Sequence, residues 1–285
     1  MSARPVIAVT GASGYVGGVI ANALAPEADI VRLLRHPRRE GDVTWSFKSG
    51  AVPIAEALRA RGVTQLVHAA WDMRETQLPK LQESCVAGSE RLLAAAARAG
   101  IARVVFISTI SAFPAARSAY GRAKLQVEAD MRAAGATVLR PGLVYGAGQG
   151  GMLGNLTRVV RKARLVPLIG DGSAPQYLLD EATLVSAVKR ALAGEFSGET
   201  GPITLANPTP VPFRALLARV AAAQGRQPKL VPVPWQVFYT GLWGAERLGL
   251  KLGFRSDSIL SFIFQNPAPD FSAMERLGIT PANLP

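Results

Sequence analysis

Short apolar runs alternate with longer stretches of helical period along the first two-thirds of the chain. Residues 6–10 (VIAVT), 30–34 (IVRLL), 65–68 (QLVH), 103–108 (RVVFIS) and 137–140 (TVLR) read as strands, and 43–47 (VTWSF) as a weaker one. Most are nearly continuous apolar runs rather than strict alternations, the mark of strands covered on both faces. Helices are predicted between them, over 16–24, 54–61, 78–99 and 119–134. The long one stops at Gly100, a residue suited to the left-handed turn that ends a helix. This order predicts an α/β fold with a doubly wound parallel sheet.

From Gly142 the pattern loosens. Residues 146–154 read as a glycine-rich loop, 170–175 as a turn, 180–192 as a helix and 202–205 as a strand returning to the sheet. Residues 208–285 are punctuated by proline and mostly helical. The expected organisation is a nucleotide-binding domain over 1–150, to which about 178–206 return. A smaller, mostly helical C-terminal substrate domain is expected over 151–177 and 207–285. No internal repeat or low-complexity linker interrupts the chain.

Composition narrows the class. With 49% hydrophobic and 18% charged residues over 285 positions, the chain can bury a large core and is not a disordered sequence. A single cysteine, Cys85, excludes an internal disulfide framework, and His36 and His68 stand far apart with no metal-ligand spacing. A reducing cytoplasm is the expected location, and no metal is expected. The N-terminal apolar run dissolves into glycines, so it reads as a strand and turn rather than a signal peptide. The nearest approach to a membrane span, 230–242, is broken by Pro232, Pro234 and Gln236, so no integral membrane segment is expected. The stretch 234–252 nonetheless carries Trp235, Phe238, Tyr239, Leu242, Trp243 and Leu248. It reads as core of the second domain or as a surface meeting a membrane. The net charge of +12 fits surface arginines or a site for an anionic ligand such as a phosphorylated cofactor. No nucleic-acid-binding motif accompanies it, and nucleic acid is not an expected partner.

The first strand runs into Gly11, Ala12, Ser13, Gly14, Tyr15, Val16 and Gly17. Gly11 suits the tight turn, Gly14 a close backbone approach to a pyrophosphate, and Gly17 close helix–strand packing. The N–H groups of the new helix then face the phosphates. Placed between a first strand and a first helix, this is the dinucleotide turn of a Rossmann fold. Arg35 follows the second strand, where a carboxylate would bind a ribose 2′-hydroxyl; a guanidinium there suits a 2′-phosphate. No carboxylate competes at that strand end in the sequence. NADP(H) is the favoured cofactor and NAD(H) the alternative. Tyr120 and Lys124 share one helical face at i, i+4 spacing. A lysine at that distance lowers a phenol pKa from about 10, making Tyr120 a general acid/base. The strand before it ends in Ser108, Thr109, Ile110 and Ser111, hydroxyls that can bind the same substrate oxygen.

These pieces resemble the short-chain dehydrogenase/reductase superfamily, and within it the extended branch known as the NAD-dependent epimerase/dehydratase family. The matching segments, in order, are TGASGYVGG, LVHAA, VAGSERLLAAA, RVVFIST, YGRAK, LRPGLVYG and the GDG…QYLLDEA stretch. The resemblance covers about residues 5–192 and implies roles. Thr109 falls at the catalytic Ser/Thr, with Ser111 the second candidate. Tyr120 would be the acid/base, and Lys124 would hold the nicotinamide ribose. His68, Ala69 and Ala70 would run beside the cofactor, and Pro141 to Val144 near the nicotinamide. Ser111 and Tyr145 would face a small-molecule substrate, and a homodimer through the helix bearing Tyr120 is expected.

There are departures. Cys85 stands where many members carry asparagine and reads as a packed residue rather than a nucleophile. Only eleven positions separate Thr109 from Tyr120. Ile110 occupies the place where sugar dehydratases carry Asp-Glu. Pro175 and Gln176 replace the arginine often found before Tyr177. Arg140 to Gly142 replaces an asparagine-bearing segment of many sugar epimerases. Arg158, Arg161 and Lys162 would share a helical face, either solvated or turned to a diphosphate. The favoured reading is an NADP(H)-dependent alcohol/carbonyl oxidoreductase. An NDP-sugar epimerase with tightly held NAD is the alternative, and a non-catalytic nucleotide-sensing or scaffold protein is a third.

Overall fold

The computed structural model describes residues 4–146, 150–250 and 254–283. Part of the expected glycine-rich loop (147–149) and the end of the 234–252 stretch lie outside the described residues. Six strands form in the first half: β1 (Val6–Thr10), β2 (Asp29–Leu34), β3 (Val43–Thr44), β4 (Gln65–His68), β5 (Arg103–Ile107) and β6 (Thr137–Pro141). They are followed by β7 (Leu143–Tyr145), β8 (Leu165–Ile169), β9 (Pro175–Gln176), β10 (Leu178–Asp180), β11 (Ile203–Leu205), β12 (Val211–Pro212) and β13 (Lys229–Val233). The principal sheet has seven strands in the order β11-β6-β5-β4-β1-β2-β3, every neighbouring pair parallel. The chain winds outward through β1, β2 and β3, then crosses back to start the other half at β4. The C-terminal ends of β1 and β4 therefore part at a switch point, where open α/β sheets bind ligands.

The near-continuous apolar strands are explained by cover on both faces. Ile7 and Val9 of β1 face one side with Val67, Val105 and Leu139. There they meet α1 (Tyr15–Leu24), whose buried Gly17, Ile20, Ala21 and Leu24 follow helical spacing. Ala8, Leu33 and Leu66 face the other side. They pack on α2 (Ala51–Ala60) and on a helical run made of α3 (Leu78–Leu81), a π-turn (Gln82–Val86) and α4 (Ala87–Ala99). This run is the long helix expected over 78–99, with one widened turn carrying Cys85. Gly88 lets it approach the chain after β3, since a Cβ there would lie 2.6 Å from the Phe47 carbonyl oxygen. The third strand is shorter than expected: after Thr44 the chain bends and buries Trp45. Helix α5 (Ala119–Ala133) buries Ala123, Val127 and Met131 against Phe106 and Val138.

The second lobe contains α6 (Gly151–Lys162), followed after the return of α7 (Glu181–Ala193) to the first core by α8 (Phe213–Ala222), α9 (Trp235–Arg247) and α10 (Ser256–Ile263). Leu156, Val160, Leu168, Phe213, Leu216 and Phe262 form its core. It also holds a parallel pair, β8 with β13, that the sequence reading missed. Pro167 and Pro232 argue against strands in a sheet interior, but each strand here has only one partner, so a missing donor is tolerated. Helix α11 (Ser272–Arg276) leaves this lobe, and Ala273, Met274 and Ile279 pack into the first core beside α7. No described helix is long and apolar enough to cross a membrane.

Candidate active site

The turn after β1 is shaped by what its glycines lack. Gly11 has φ +72°, and a Cβ on it would lie 2.8 Å from the backbone of Ala69 and of Ala70. A Cβ on Gly17 would lie 2.3 Å from the Gly11 carbonyl oxygen. The N–H of Gly14 donates to that same oxygen at 2.8 Å. Helix α1 then begins at Gly14 with no side-chain cap and no acidic residue in its first turn. Its leading N–H groups are left without side-chain partners at the positive end of the helix dipole. This backbone cradle fits a dinucleotide pyrophosphate. Ser13 is exposed on the turn, and Val16 packs on the first core. The Tyr15 hydroxyl donates to Glu181 Oε1 at 2.6 Å, and burial, then Glu181, raises its pKa. Its ring lies against Gly150, where a Cβ would come within 2.3 Å. Tyr15 thus ties the turn to α7 and to the loop before α6.

Arg35 is exposed at the end of β2. Asp72, on the loop after β4, is a charged group that feels Arg35. Asp72 is held below the usual carboxylate range chiefly by its hydrogen bond from Arg74, with a smaller contribution from Arg35.

His68 has a different setting from the one expected beside a cofactor. Its ring is fully buried, and both nitrogens are engaged: Nδ1 with Thr10 Oγ1 at 2.7 Å, Nε2 with Ser89 Oγ at 2.9 Å. Ser89 donates its own proton to the Cys85 carbonyl at 2.7 Å, so it accepts from Nε2–H. Thr10 therefore donates to Nδ1, while its oxygen accepts the N–H groups of Ala69 and Ala70, both at 3.1 Å. The polar chain is complete with His68 neutral. Burial, with Lys124 nearby, lowers its pKa to about 3. His68 ties β1, β4 and α4 together at the switch point, and Ala69 and Ala70 are the part of this segment that lies against the glycine turn.

At the end of β5 the structure brings the expected hydroxyls together. Thr109 and Ser111 line the same cavity as the Tyr120 phenol, and Thr109 acts to lower its pKa. Ser108 points the other way, donating to the buried Glu128, which also pairs with Arg140. Pro141 accepts the Ile110 N–H at 2.9 Å and so holds the Thr109–Ser111 turn against β6. Lys124 is buried, donates to the Ile107 carbonyl at 2.7 Å, and lies 4.4 Å from the Trp71 ring centre and 4.5 Å from that of Phe106. Burial brings it down to about 7. Tyr120 is pushed up to about 12, also by burial, with Thr109 opposing. The expected lowering of the phenol by Lys124 is not what this arrangement gives, because the ammonium is turned to Ile107 and the two rings. The Cys85 thiol is buried and its pKa raised by that burial, as suits a packing residue.

Thr109, Ser111 and Tyr120 open into a cavity of about 220 Å³ with a mostly apolar lining that includes Trp71, Leu143, Met152 and Phe262. Tyr145 does not line it; its ring sits in the core of the second lobe and its hydroxyl donates to the Ala282 carbonyl at 3.0 Å. Arg158, Arg161 and Lys162 are all exposed on α6, away from the cavity. Two cavity residues escaped sequence reasoning. Asp257 of α10 accepts the N–H of Ala119 at 2.7 Å and of Tyr120 at 2.9 Å, capping α5 from the other lobe. Ser261 Oγ is buried on the cavity wall without a hydrogen-bond partner among the described residues. Neither carries a local signal, since Asp257 lies 137 residues from Tyr120. Among the described residues, no group of three or more His, Cys, Asp or Glu side chains could hold a metal.

A seven-stranded Rossmann sheet, a glycine turn at its switch point and a Thr/Tyr/Lys cluster beside it define a protein of the short-chain dehydrogenase/reductase type. The chain belongs to the NAD dependent epimerase/dehydratase family, whose family model matches residues 7–203. A ceramide reductase from Caulobacter vibrioides is 30% identical over 179 residues, covering 60% of this chain and 56% of that protein. The chain thus spans little more than half the length of that curated relative. A dTDP-glucose 4,6-dehydratase from Streptomyces venezuelae, solved with NAD and TYD bound, superposes with a TM-score of 0.71 at 19% identity, covering 98% of this chain and 92% of that one. A UDP-glucose 4-epimerase from Thermotoga maritima, solved with UDP-glucose, gives 0.68 at 17% identity, covering 90% and 97%. At these identities the two structures establish the fold.

Proposed function

We propose that this protein is an NADP(H)-dependent oxidoreductase that reduces a carbonyl on an apolar, lipid-like substrate, with Tyr120 as proton donor. The observation that carries the reading is the Tyr120 phenol, which shares a largely apolar cavity with the Thr109 and Ser111 side chains. Nicotinamide, when bound, supplies the hydride. The chain's own residues do the rest. The oxygen that becomes negative on reduction would take the Tyr120 proton, leaving a neutral alcohol and a Tyr120 phenolate, and Thr109 Oγ1 would hydrogen-bond that oxygen. A phenol pushed up to about 12 is protonated at neutral pH and suited to act as the acid. Lys124, buried and donating to the Ile107 carbonyl, would hold the end of β5 that presents Thr109. Trp71, Met152 and Phe262 keep water from the reacting oxygen, and Ser261 offers its unpaired hydroxyl to a polar group of the substrate. The apolar lining and the relative named a ceramide reductase support the substrate class. Arg35 supports the 2′-phosphate.

The test is net oxidation of NADPH over a panel of carbonyl compounds that includes long-chain ketones. Stoichiometric consumption with an apolar ketone is expected. Interconversion of NDP-sugars with no net consumption would replace this reading with the epimerase.

A further inference from the structure

We propose that α9 and the residues just after it dock the protein on an anionic lipid bilayer, with the approach to the active-site cavity beside the membrane. Helix α9 (WQVFYTGLWGAER) has 13 residues, and none is buried. Helices α4, α5 and α7, of 13 to 15 residues, bury five or six each. Val237 is 58% exposed and Trp243 45%, followed by Leu248 at 79% and Leu250 at 54%. Val237, Gly241, Gly244 and Leu248 are spaced i, i+4, i+7, i+11, one line along the helix. Among the described residues, α10 and the adjoining Phe264 pack on the helix. Beside that line the Arg247 guanidinium lies over the Trp243 ring at 4.3 Å. An aromatic ring topped by a cation suits the boundary between acyl chains and charged headgroups.

Charge selects the partner. Residues 151–177 and 207–270 hold eleven Lys and Arg against four Asp and Glu, more than half of the net charge of +12. A second copy of so cationic a lobe is repelled, whereas an acidic bilayer attracts it. Position gives the surface a use. Tyr239, Trp243 and Arg247 line a second cavity of about 450 Å³, with Arg74, Lys80 and Arg255 on its other walls. That cavity shares Glu75, Thr76, Arg255 and Asp257 with the one at Tyr120. A bilayer meeting α9 therefore lies beside a cavity that shares four wall residues with the one at the phenol. The inference rests on this surface and is independent of the substrate proposed above.

Flotation of the full chain with vesicles tests it. Vesicles of phosphatidylcholine with about 30 mol% phosphatidylglycerol are expected to carry the protein upward, and phosphatidylcholine alone to carry much less. Binding to the acidic vesicles should weaken in high salt. The double variant Val237→Glu, Leu248→Glu should bind them about tenfold less while keeping the parent's melting temperature, since both side chains are exposed. Absence of binding to acidic vesicles would overturn the proposal. So would equal binding by parent and variant. Concentration-dependent self-association, abolished by the same two substitutions without any vesicle binding, would show instead that α9 meets a second copy of the chain.

Discussion

At the scale of single residues, the site separates two charges that the sequence spacing seemed to join. Tyr120 and Lys124 share a helix face, yet the lysine ammonium is held by the Ile107 carbonyl and two aromatic rings. Burial then governs both groups, raising the phenol and lowering the amine. The result is a tyrosine kept protonated beside a threonine hydroxyl, the state a reductive step needs. On the proposed reading, cofactor choice turns on Arg35. Replacing Arg35 with alanine should weaken NADPH about tenfold or more and leave NADH nearly unchanged, because only the phosphorylated ribose needs that charge. Fluorescence titration of both nucleotides checks this, and equal losses for the two would remove the NADP assignment. Thr109, Ser111 and Tyr120 were legible because strand end and helix face are local patterns. Tyr145 was misplaced because its hydroxyl is claimed by Ala282, far along the chain. No local pattern announces such a partner.

At the scale of elements, α5 carries the proposed proton donor, and its N-terminus is held twice. Ser118 accepts the Gly121 N–H at 3.1 Å, and Asp257 takes the N–H groups of Ala119 and Tyr120 from the second lobe. The lobe that walls the cavity at Tyr120 therefore also fixes the backbone of the proposed proton donor. Asp257→Ala should cost about 1–2 kcal/mol of stability, the scale of a lost cap. It should also lower kcat several-fold while leaving the cofactor Kd unchanged, since the dinucleotide turn is on β1 and α1. Asp257→Asn keeps one oxygen acceptor and should recover part of the rate. An unaltered kcat in Asp257→Ala would show that the cap has no positioning role. The strands of the principal sheet were legible because each is an apolar run between breakers. The pair β8 and β13 was not, because Pro167 and Pro232 disguise strands that have a single partner. The widened turn at Cys85 was hidden for a related reason: a π-turn changes hydrogen-bond register without changing composition.

The whole molecule is organised around the point where its two halves part. Thr10, His68 and Ser89 link β1, β4 and α4 through a chain whose every proton is assigned with the imidazole neutral. The unfolded chain protonates this histidine near pH 6.5 and the folded one near pH 3. Between those values the unfolded state binds the extra proton. His68 therefore contributes stability that is fully present above about pH 6.5 and is lost as pH falls toward 3, by at most about 1.4 kcal/mol per unit. In urea unfolding from pH 7 to pH 4, His68→Gln should flatten the pH dependence relative to the parent; identical slopes would contradict this. The same switch point sets the dinucleotide turn beside the Thr109–Tyr120 pair, so fold and chemistry stand or fall together. The measurement that reaches this centre most directly is turnover by Tyr120→Phe, with NADPH and a carbonyl substrate found in the panel. The variant loses one oxygen and keeps its ring against Trp71. Its kcat should fall by about 10²-fold or more, with the NADPH Kd unchanged. Full turnover by Tyr120→Phe would show that the phenol carries no proton in the reaction and would contradict the account.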